Sequence, residues 1–314
     1  MTQSALIKKN KSIISFLRTV LCLGLAVVMI LLSDILKSEI YDGFIFSFTT
    51  VIPTLFPFFI LSDIWSSTGA SGSGGILSRT FEKIFRVNGC ALLSFISGLI
   101  CGFPVGVKIA SGLYINKRIS RDELEHLIGF INNPSVAFVI SGVGSGMLGS
   151  SYIGLLLYIS IILSAVTVGF VFRGSKKNFE VSKDNLEQSF NIVDSIKNAG
   201  LNSLNVASCI VFFSGVLGLI SGIIKNNSVI TCVSMLLEVT NAVRIIASYT
   251  LLPKRLTLIL IAFALGFSGF SVHLQAFSFL PPEIKRRRYF LMKLLQGLIA
   301  SLLVFLFTIK RAVT

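Results

Sequence analysis

Residues 102–108 read Gly-Phe-Pro-Val-Gly-Val-Lys, and they stand in the middle of an apolar run from Cys90 to Tyr114. A membrane span needs about 20 apolar residues, and this run is long enough to supply one. Backbone groups that a Gly-Pro-Gly break frees at membrane depth must be satisfied by protein or by water in a cavity. Transporters build their binding sites from helices interrupted in this way. The stretch therefore predicts a broken transmembrane helix or a re-entrant hairpin beside a solute site.

The rest of the chain has the composition of a membrane protein. Of its 314 residues, 53% are hydrophobic and 13% are charged, whereas a soluble domain has about 25% charged residues. The net charge of +14 comes mainly from basic residues in short connections between apolar runs, as the positive-inside bias predicts, so we expect the lipid bilayer and not nucleic acid as partner. The five cysteines form no C-x-x-C pair and there are two histidines, so we expect no metal and no cofactor.

Eight further apolar runs indicate an all-α polytopic membrane protein. The first follows a lysine-rich N-terminus, and we interpret it as a transmembrane helix with a cytoplasmic start. A short segment, Ser120–Ile131, begins with the capping-box pair Ser120 and Glu123 and predicts an amphipathic helix at the membrane interface. The eight runs are Ile13–Leu32, Phe44–Trp65, Phe130–Leu148, Tyr152–Phe172, Leu204–Ile224, Val229–Tyr249, Leu256–Leu280 and Tyr289–Ile309.

Two of these runs are interrupted like the first. Phe130–Leu148 opens on Asn-Asn-Pro-Ser at residues 132–135, and residues 269–275 within Leu256–Leu280 read Gly-Phe-Ser-Val-His-Leu-Gln. Three of the seven positions in 269–275 are identical to those in 102–108. Internal pairs of broken hydrophobic segments indicate a substrate site near the middle of the bilayer.

This duplication predicts the domain organisation. We expect an N-terminal transmembrane helix (1–43), a first repeat (44–149), a connecting transmembrane helix with a basic loop (150–202) and a second repeat (203–314). If every basic connection is cytoplasmic, the glycine-broken segments must be re-entrant hairpins, which conflicts with a strict inverted repeat. The topology of the broken segments therefore stays open.

Lys108 and Glu238 are charged residues inside apolar runs. A lysine near the bilayer centre costs about 2.5–3.5 kcal/mol on insertion scales, so we predict that Lys108 faces a cavity and meets an anionic ligand; the alternative is snorkelling to an interface. Glu238, followed by Thr240 and Asn241, is predicted to bind a coupling cation or to position a backbone break. Its alternative role is a structural pair with a basic residue.

Two polar clusters complete the candidate site. The break at residues 132–135 offers a half-helix whose free N–H groups attract an anion, or an ordinary helix start near the interface. The polar residues around 268–275 suit hydrogen bonding to a solute, or packing between helices. The predicted substrate-binding residues are Gly102, Pro104, Gly106, Lys108, Asn132, Asn133, Ser135, Glu238, Thr240, Asn241, Ser268, Ser271, His273 and Gln275.

One sequence pattern favours an enzyme. Residues 266–269 read Gly-Phe-Ser-Gly, the pattern around the serine of intramembrane rhomboid proteases. Such a hydrolase needs a histidine base within hydrogen-bond reach of the serine, and His273 is five residues further along the same segment. We keep an intramembrane serine hydrolase as a remote alternative and expect no enzymatic activity.

Four motifs in order resemble one known family. Residues 102–108 resemble its G-[FY]-P-x-G-A-K motif, residues 133–135 its N-P-S element, residues 238–241 its E-[LI]-T-N/G element, and residues 269–275 its G-L-S-V-H-x-Q motif. The resemblance, which runs from about Phe44 to Phe307, is to the YlbJ-like sporulation integral membrane proteins, also called SpoVV, within the nucleoside-recognition (gate) domain group. Val107 and Phe270 depart from the family's usual Ala and Leu, and the chain is shorter than other members.

This resemblance implies a function and a location. Such proteins act in the mother-cell-derived outer membrane around the forespore of endospore formers, and they are implicated in passing dipicolinic acid toward the forespore. The gate group is similar in layout to concentrative nucleoside transporters, with inverted repeats, hairpins and broken helices. We therefore expect transport of a small polar or anionic solute, with dipicolinic acid the favoured cargo. A nucleoside-type transporter, and a non-transporting subunit or scaffold of a sporulation complex, are the alternatives. The sequence leaves open a coupling cation, a homo-oligomer and a membrane partner protein.

Overall fold

The structure is a computed structural model that describes residues 3–67, 75–174 and 191–309, with side chains from residue 15 to residue 64 in the first range. Within these ranges every regular element is helical. The helices are α1 Gln3–Leu31, α2 Ser33–Phe46, α3 Ile52–Ser67, α4 Ile76–Phe85, α5 Leu92–Cys101, α6 Val105–Ile115, α7 Arg121–Ile131, α8 Ser151–Val171, α9 Ile192–Ile223, α10 Asn227–Leu237, α11 Val239–Ser248, α12 Lys254–Phe267, α13 Gly269–Phe277 and α14 Arg287–Ile309, with π-helical segments at Ser47–Val51 and Phe138–Met147 and a 3₁₀ turn at Gly89–Ala91.

The lengths of these helices confirm the all-α polytopic membrane fold. Five helices in the described ranges are long and apolar enough to cross a membrane, and the bent pair of Ile76–Phe85 with Gly89–Cys101 makes six if it forms one span. The predicted first span corresponds to the shorter apolar stretch Ser15–Leu31 of α1. The five helices are Ser33–Ile64, Ser151–Val171, Ile192–Ile223, Lys254–Phe277 and Arg287–Ile309.

Helix α14 shows how these sequences sort polar and apolar residues. Leu291, Leu294, Leu298 and Leu302 follow one another at helical spacing and are exposed on the protein surface, as a lipid-facing stripe requires. The opposite face, which includes the polar residue Lys293, is buried against α12, α8 and α7. Helix α14 therefore buries Lys293 inside the bundle and presents a stripe of leucines on the protein surface.

Three predicted breaks are present, and their shapes differ. Between α5 and α6 the chain reverses, and the two helices pack on each other, whereas α12 and α13 together form one 24-residue candidate span with a break at Ser268. The matched motifs at 102–108 and 269–275 thus sit in a hairpin and in a through-running helix. The predicted internal repeat, and the likeness to the nucleoside transporter layout, stay predictions.

A fourth break lies at Glu238, for which the sequence analysis gave a backbone break as one of its alternatives. The run Val229–Tyr249 is divided into α10 and α11 by Glu238, whose backbone is extended (φ −148°, ψ 118°). The carboxylate of Glu238 accepts a hydrogen bond from the backbone N–H of Asn241 at 2.7 Å and caps α11. A side chain that competes for the first free N–H groups of a helix favours a new start over continuation, which is the physical reason for the break.

We predicted that helix α7 lies with one face on the membrane surface, and the structure instead places it inside the bundle. Its capping box between Ser120 and Glu123 is present, but its last six residues are all buried, and α5, α6, α8 and α14 pack around it. The polar residues of the helix are held by protein: the ring Nε2 of His126 lies 2.8 Å from the Gly169 carbonyl oxygen, and Glu125 pairs with Arg121. These bonds allow an amphipathic helix to sit inside the bundle.

Two predicted domain boundaries fall inside helices. The boundary at 43/44 lies within the continuous helix Ser33–Ile64. Residues 192–203, which we placed in and just after the basic loop, form the start of α9, where the side chain of Asn191 accepts a hydrogen bond from the Val193 N–H and provides an N-cap. Residues 175–190 of that loop lie outside the described residues.

Candidate functional site

A cavity of about 290 Å³ lies where the four helix breaks meet. Each break contributes to its wall, either at the break itself or one turn beyond it, and α3 and α9 close its sides. The polar part of the wall comes from Ser135, Glu238, Thr240 and Gln275, together with Thr50 and Thr54 of α3 and the segment before it. The breaks that the sequence placed far apart are thus brought together around one space.

The first two breaks touch at Gly102. This glycine has φ +86° and ψ −177°, a conformation essentially restricted to glycine. A Cβ added to it would lie 2.8 Å from the backbone nitrogen of Ser135. Ser135 in turn accepts a hydrogen bond from the Phe138 N–H at 3.1 Å. The tip of the α5–α6 hairpin is therefore seated directly on the start of the π-helical segment.

The other two breaks touch at Gly269. Its φ is +74°, and a Cβ would lie 3.2 Å from the backbone nitrogen of Glu238. This contact places the α10–α11 break against the α12–α13 break, just as Gly102 joins the first pair. The break at Gly102 therefore contacts the break at Ser135, and the break at Glu238 contacts the break at Gly269. These contacts do not join Gly102 to Gly269, the two breaks with similar motifs.

A second cavity, of about 130 Å³, adjoins the first. The two share Glu238, Thr240, Phe46 and Ile210 in their linings, and the second also contains Glu39, Asp42, Asn241 and Arg244. Arg244 donates to the side-chain oxygen of Asn241 at 3.0 Å. Glu238 is 2% exposed and stands between the two spaces, so a solute moving from one to the other would pass it. A larger cavity of about 720 Å³ lies elsewhere, between residues 147–156 and 247–258, and none of the predicted site residues lines it.

Lys108 does not line the cavity at the breaks. Its Nζ lies 2.7 Å from Oδ1 of Asp63 on α3 and 3.4 Å from the Phe59 carbonyl oxygen, and it also sits above the Phe59 ring. Both members of the ion pair are about one-fifth exposed or less (16% and 21%). The charge that we predicted to meet an anionic ligand is thus paired within the protein and joins α6 to α3.

Asn132, Asn133 and His273 belong to a buried hydrogen-bond network behind the cavity. Asn132 donates to the Tyr289 hydroxyl at 3.0 Å, and Nδ1 of His273 lies 2.8 Å from the same oxygen. Asn133 donates to the Phe130 carbonyl at 2.7 Å and accepts from Gln296 at 2.7 Å. This network ties the 132–135 break to α13 and α14.

The remaining predicted residues have structural contacts. Ser268 donates to the Leu265 carbonyl at 3.1 Å, and Ser271 accepts from Gln275 at 3.2 Å. Pro104 precedes α6 as its N-cap. A Cβ on Gly106 would lie 2.7 Å from the Ser94 carbonyl oxygen, so this glycine lets α5 and α6 pack closely. Of the fourteen predicted residues, the first cavity brings together Gly102, Ser135, Glu238, Thr240 and Gln275, and the second adds Asn241.

Sequence reasoning missed several polar residues of this region. Lys293 and Gln296 lie within the last apolar run, where a charged residue is a functional signal by default, and that signal was available in the sequence. Asp63 had the same signal near the end of its run. Thr50 and Thr54 carried none, because hydroxyls are common in membrane helices, where they bond to the preceding turn as Thr54 does to the Thr50 carbonyl.

Comparison with curated proteins finds similarity to the sporulation integral membrane protein YlbJ of Bacillus subtilis (strain 168), at 27% identity, with 82% of this chain and 73% of that protein covered. No protein-family model and no solved structure matches the chain. The match covers most of the chain. It confirms the resemblance of this membrane protein to the YlbJ-like sporulation integral membrane proteins.

Proposed function

We propose that this chain carries a small polar or anionic solute across a membrane, with dipicolinic acid as the first candidate cargo. The observation that supports the proposal is the cavity of about 290 Å³ at the meeting point of four helix breaks. Broken helices near the middle of the bilayer are where secondary transporters hold their substrates. The similarity to a sporulation integral membrane protein supports a role during endospore formation, and we propose the outer forespore membrane as the location.

The charges around the cavity constrain the solute. Its lining among the described residues includes the carboxylate of Glu238 and no lysine or arginine. Favourable partial positive charge for an anion would come from the N-terminal ends of α6, α13 and the π-helical segment Phe138–Met147. These ends lie at or close to the wall of the cavity. A dianion such as dipicolinate would therefore enter together with a proton or cation at Glu238.

The same charges favour a second candidate, a nucleoside. The hydroxyls of Ser135 and Thr240, the amide of Gln275 and the carboxylate of Glu238 are groups that hydrogen-bond sugar hydroxyls and base edges without needing a positive charge. The gate-group resemblance points to the same class.

An enzymatic role receives no support from the serine motif. Ser268 donates to a backbone carbonyl of its own helix, and His273 bonds to Tyr289 instead of to Ser268. A serine nucleophile needs the base within hydrogen-bond reach. We propose that the chain is not a hydrolase.

The proposal is tested by uptake into vesicles that contain the purified chain. Labelled dipicolinate is offered with and without nucleosides as competitors, and labelled nucleosides are offered in parallel. Thr240→Val and Gln275→Leu remove polar groups from the cavity wall, and each should reduce uptake at least tenfold, which corresponds to about 1.4 kcal/mol. Thr167→Val is the matched control, because Thr167 is exposed on α8 and bonds to the Leu163 carbonyl.

The outcomes separate the candidates. Dipicolinate uptake that nucleosides do not inhibit supports the anion, and the reverse pattern supports the nucleoside. Absence of uptake of either solute from folded protein, under any ion gradient, would favour a subunit or scaffold that works with a membrane partner.

A further inference from the structure

Lys293 is a buried charge that the proposed function does not use. Its side chain is fully buried in the first half of the α14 span. The Nζ donates to the Asn132 carbonyl oxygen and to the Gln296 side-chain oxygen, both at 2.8 Å. The ion pairs among the described residues involve other groups, so in that part of the chain no carboxylate lies within 4 Å of Lys293. An ammonium buried without a counter-ion is costly, and its retention needs a reason.

The position of the ammonium supplies that reason. Asn132 is the residue that ends α7, and the C-terminal end of a helix carries a partial negative charge from its unpaired carbonyl groups. In transporters, the carbonyl groups of unwound segments and the C-terminal ends of half-helices are the groups that coordinate a coupling cation. Lys293 therefore places a fixed positive charge where such an ion would be bound.

The break contains further buried polar groups close in sequence to the two acceptors of Lys293. Besides the two acceptors of Lys293, the side-chain oxygen of Asn132 is buried and has no hydrogen-bond partner, and Asn132 is 1% exposed. Gln296, which accepts from Lys293, also donates to Asn133. Removal of the ammonium would leave the Asn132 carbonyl oxygen and the Gln296 side-chain oxygen without their donor.

We propose that the Lys293 ammonium is a built-in cation that takes the place of a coupling ion at the Asn132–Asn133 break. The backbone at the break then keeps its conformation without Na⁺ or K⁺. This conformation places Ser135 in the wall of the cavity. A coupling ion at Glu238, on the other side of the cavity, is unaffected by this arrangement.

The experiment is thermal unfolding of the purified chain in detergent, with choline, sodium, potassium or methylammonium as the sole added cation. The Tm should be the same in all four salts for Glu238→Gln, a variant that lacks the carboxylate at which the proposed function places a coupling cation. Lys293→Ala should lower the Tm, and methylammonium, which restores an ammonium to the vacated space, should raise the Tm of this variant by about 2–4 °C relative to choline. Lys225→Ala, at an exposed lysine between α9 and α10, should show neither effect.

Two results would overturn the inference. One is a Glu238→Gln variant that needs sodium or potassium for its full Tm. The other is a Lys293→Ala variant with the same Tm in methylammonium and choline. If Lys293→Ala does not fold, Lys293→Met keeps the side-chain volume, and the Glu238→Gln salt series still decides the first point. These measurements do not depend on the proposed transport, so vesicles that show no uptake would count against the function and not against the built-in cation.

Discussion

Gly102→Ala tests whether the contact between two helix breaks shapes the cavity. The substitution has two costs that the structure separates. The conformation of Gly102, φ +86° and ψ −177°, costs a residue with a Cβ on the order of 1–3 kcal/mol. The new methyl group would lie 2.8 Å from the Ser135 nitrogen and 2.9 Å from its Cβ, and relieving such an overlap costs about 1–3 kcal/mol.

The sum is roughly 2–6 kcal/mol, which corresponds to a fall in Tm of roughly 5–20 °C. Because the displaced atoms belong to Ser135 in the cavity wall, we also expect loss of solute binding in the protein that remains folded. Thermal unfolding in detergent measures the first effect, and binding of labelled solute below the Tm measures the second.

Gly149→Ala is the matched control. Gly149 also has a positive φ, +69°, but nothing lies within 4 Å of its added Cβ, so it should lose only about 1–2 kcal/mol. Equal falls in Tm for the two variants would show that Gly102 does not press against Ser135. A Gly102→Ala variant with unchanged solute binding would refute the idea that this contact positions the cavity wall.

Two further predictions concern the charged groups. Lys108→Met should lower stability by about 1–3 kcal/mol because it leaves Asp63 half-buried without its partner, and Lys108→Met with Asp63→Asn should recover most of the Tm; a double variant as unstable as the single one would show that the pair is not what Lys108 contributes. His126, where burial first and Arg288 second lower the pKa from 6.5 to about 4, should be neutral in the folded protein. Its contribution is therefore complete above pH 6.5 and is lost as the pH falls through 6.5 toward 4, by up to about 3 kcal/mol. Measured from pH 7 to pH 4.5, His126→Gln should lose less Tm than the wild type, and parallel curves would contradict this assignment.

The helix breaks at 102–108, 132–135 and 268–269 were predictable because glycine, proline and polar residues inside an apolar run interrupt a helix locally. The break at Glu238 was harder to predict, because a single carboxylate makes it by capping a helix, and the same residue inside a run is equally compatible with a continuous helix that pairs its charge elsewhere. The spacing of apolar residues therefore does not reveal this helix boundary, because the boundary depends on one hydrogen bond from the Asn241 N–H to the Glu238 carboxylate.

Which breaks meet could not be predicted from the motif alignment. The similar residues at 102–108 and 269–275 suggested that these two breaks form a pair. However, the glycine at a hairpin tip and the glycine in a through-running helix contact different partners. Gly102 makes room for Ser135, and Gly269 makes room for Glu238. Such partners are distant in sequence and leave no local pattern. The prediction that Lys108 meets an anionic ligand was wrong for a related reason. Asp63, the group that neutralises Lys108, lies 45 residues earlier in another helix.

The balance of buried charge now separates the two candidate solutes. Lys293 and Glu238 are both buried, one in the wall behind the cavity and one in its lining. With the ammonium fixed by protein oxygens behind the cavity, the described lining of the first cavity contains one carboxyl group, that of Glu238, and a neutral nucleoside adds no charge beside it. A dianion adds two negative charges in a region where uncompensated charge is expensive, and the described lining has no further cation to offset them. Dipicolinate transport by this chain should therefore require a proton or cation gradient and depend on Glu238, whereas nucleoside transport should tolerate Glu238→Gln when the gradient is removed.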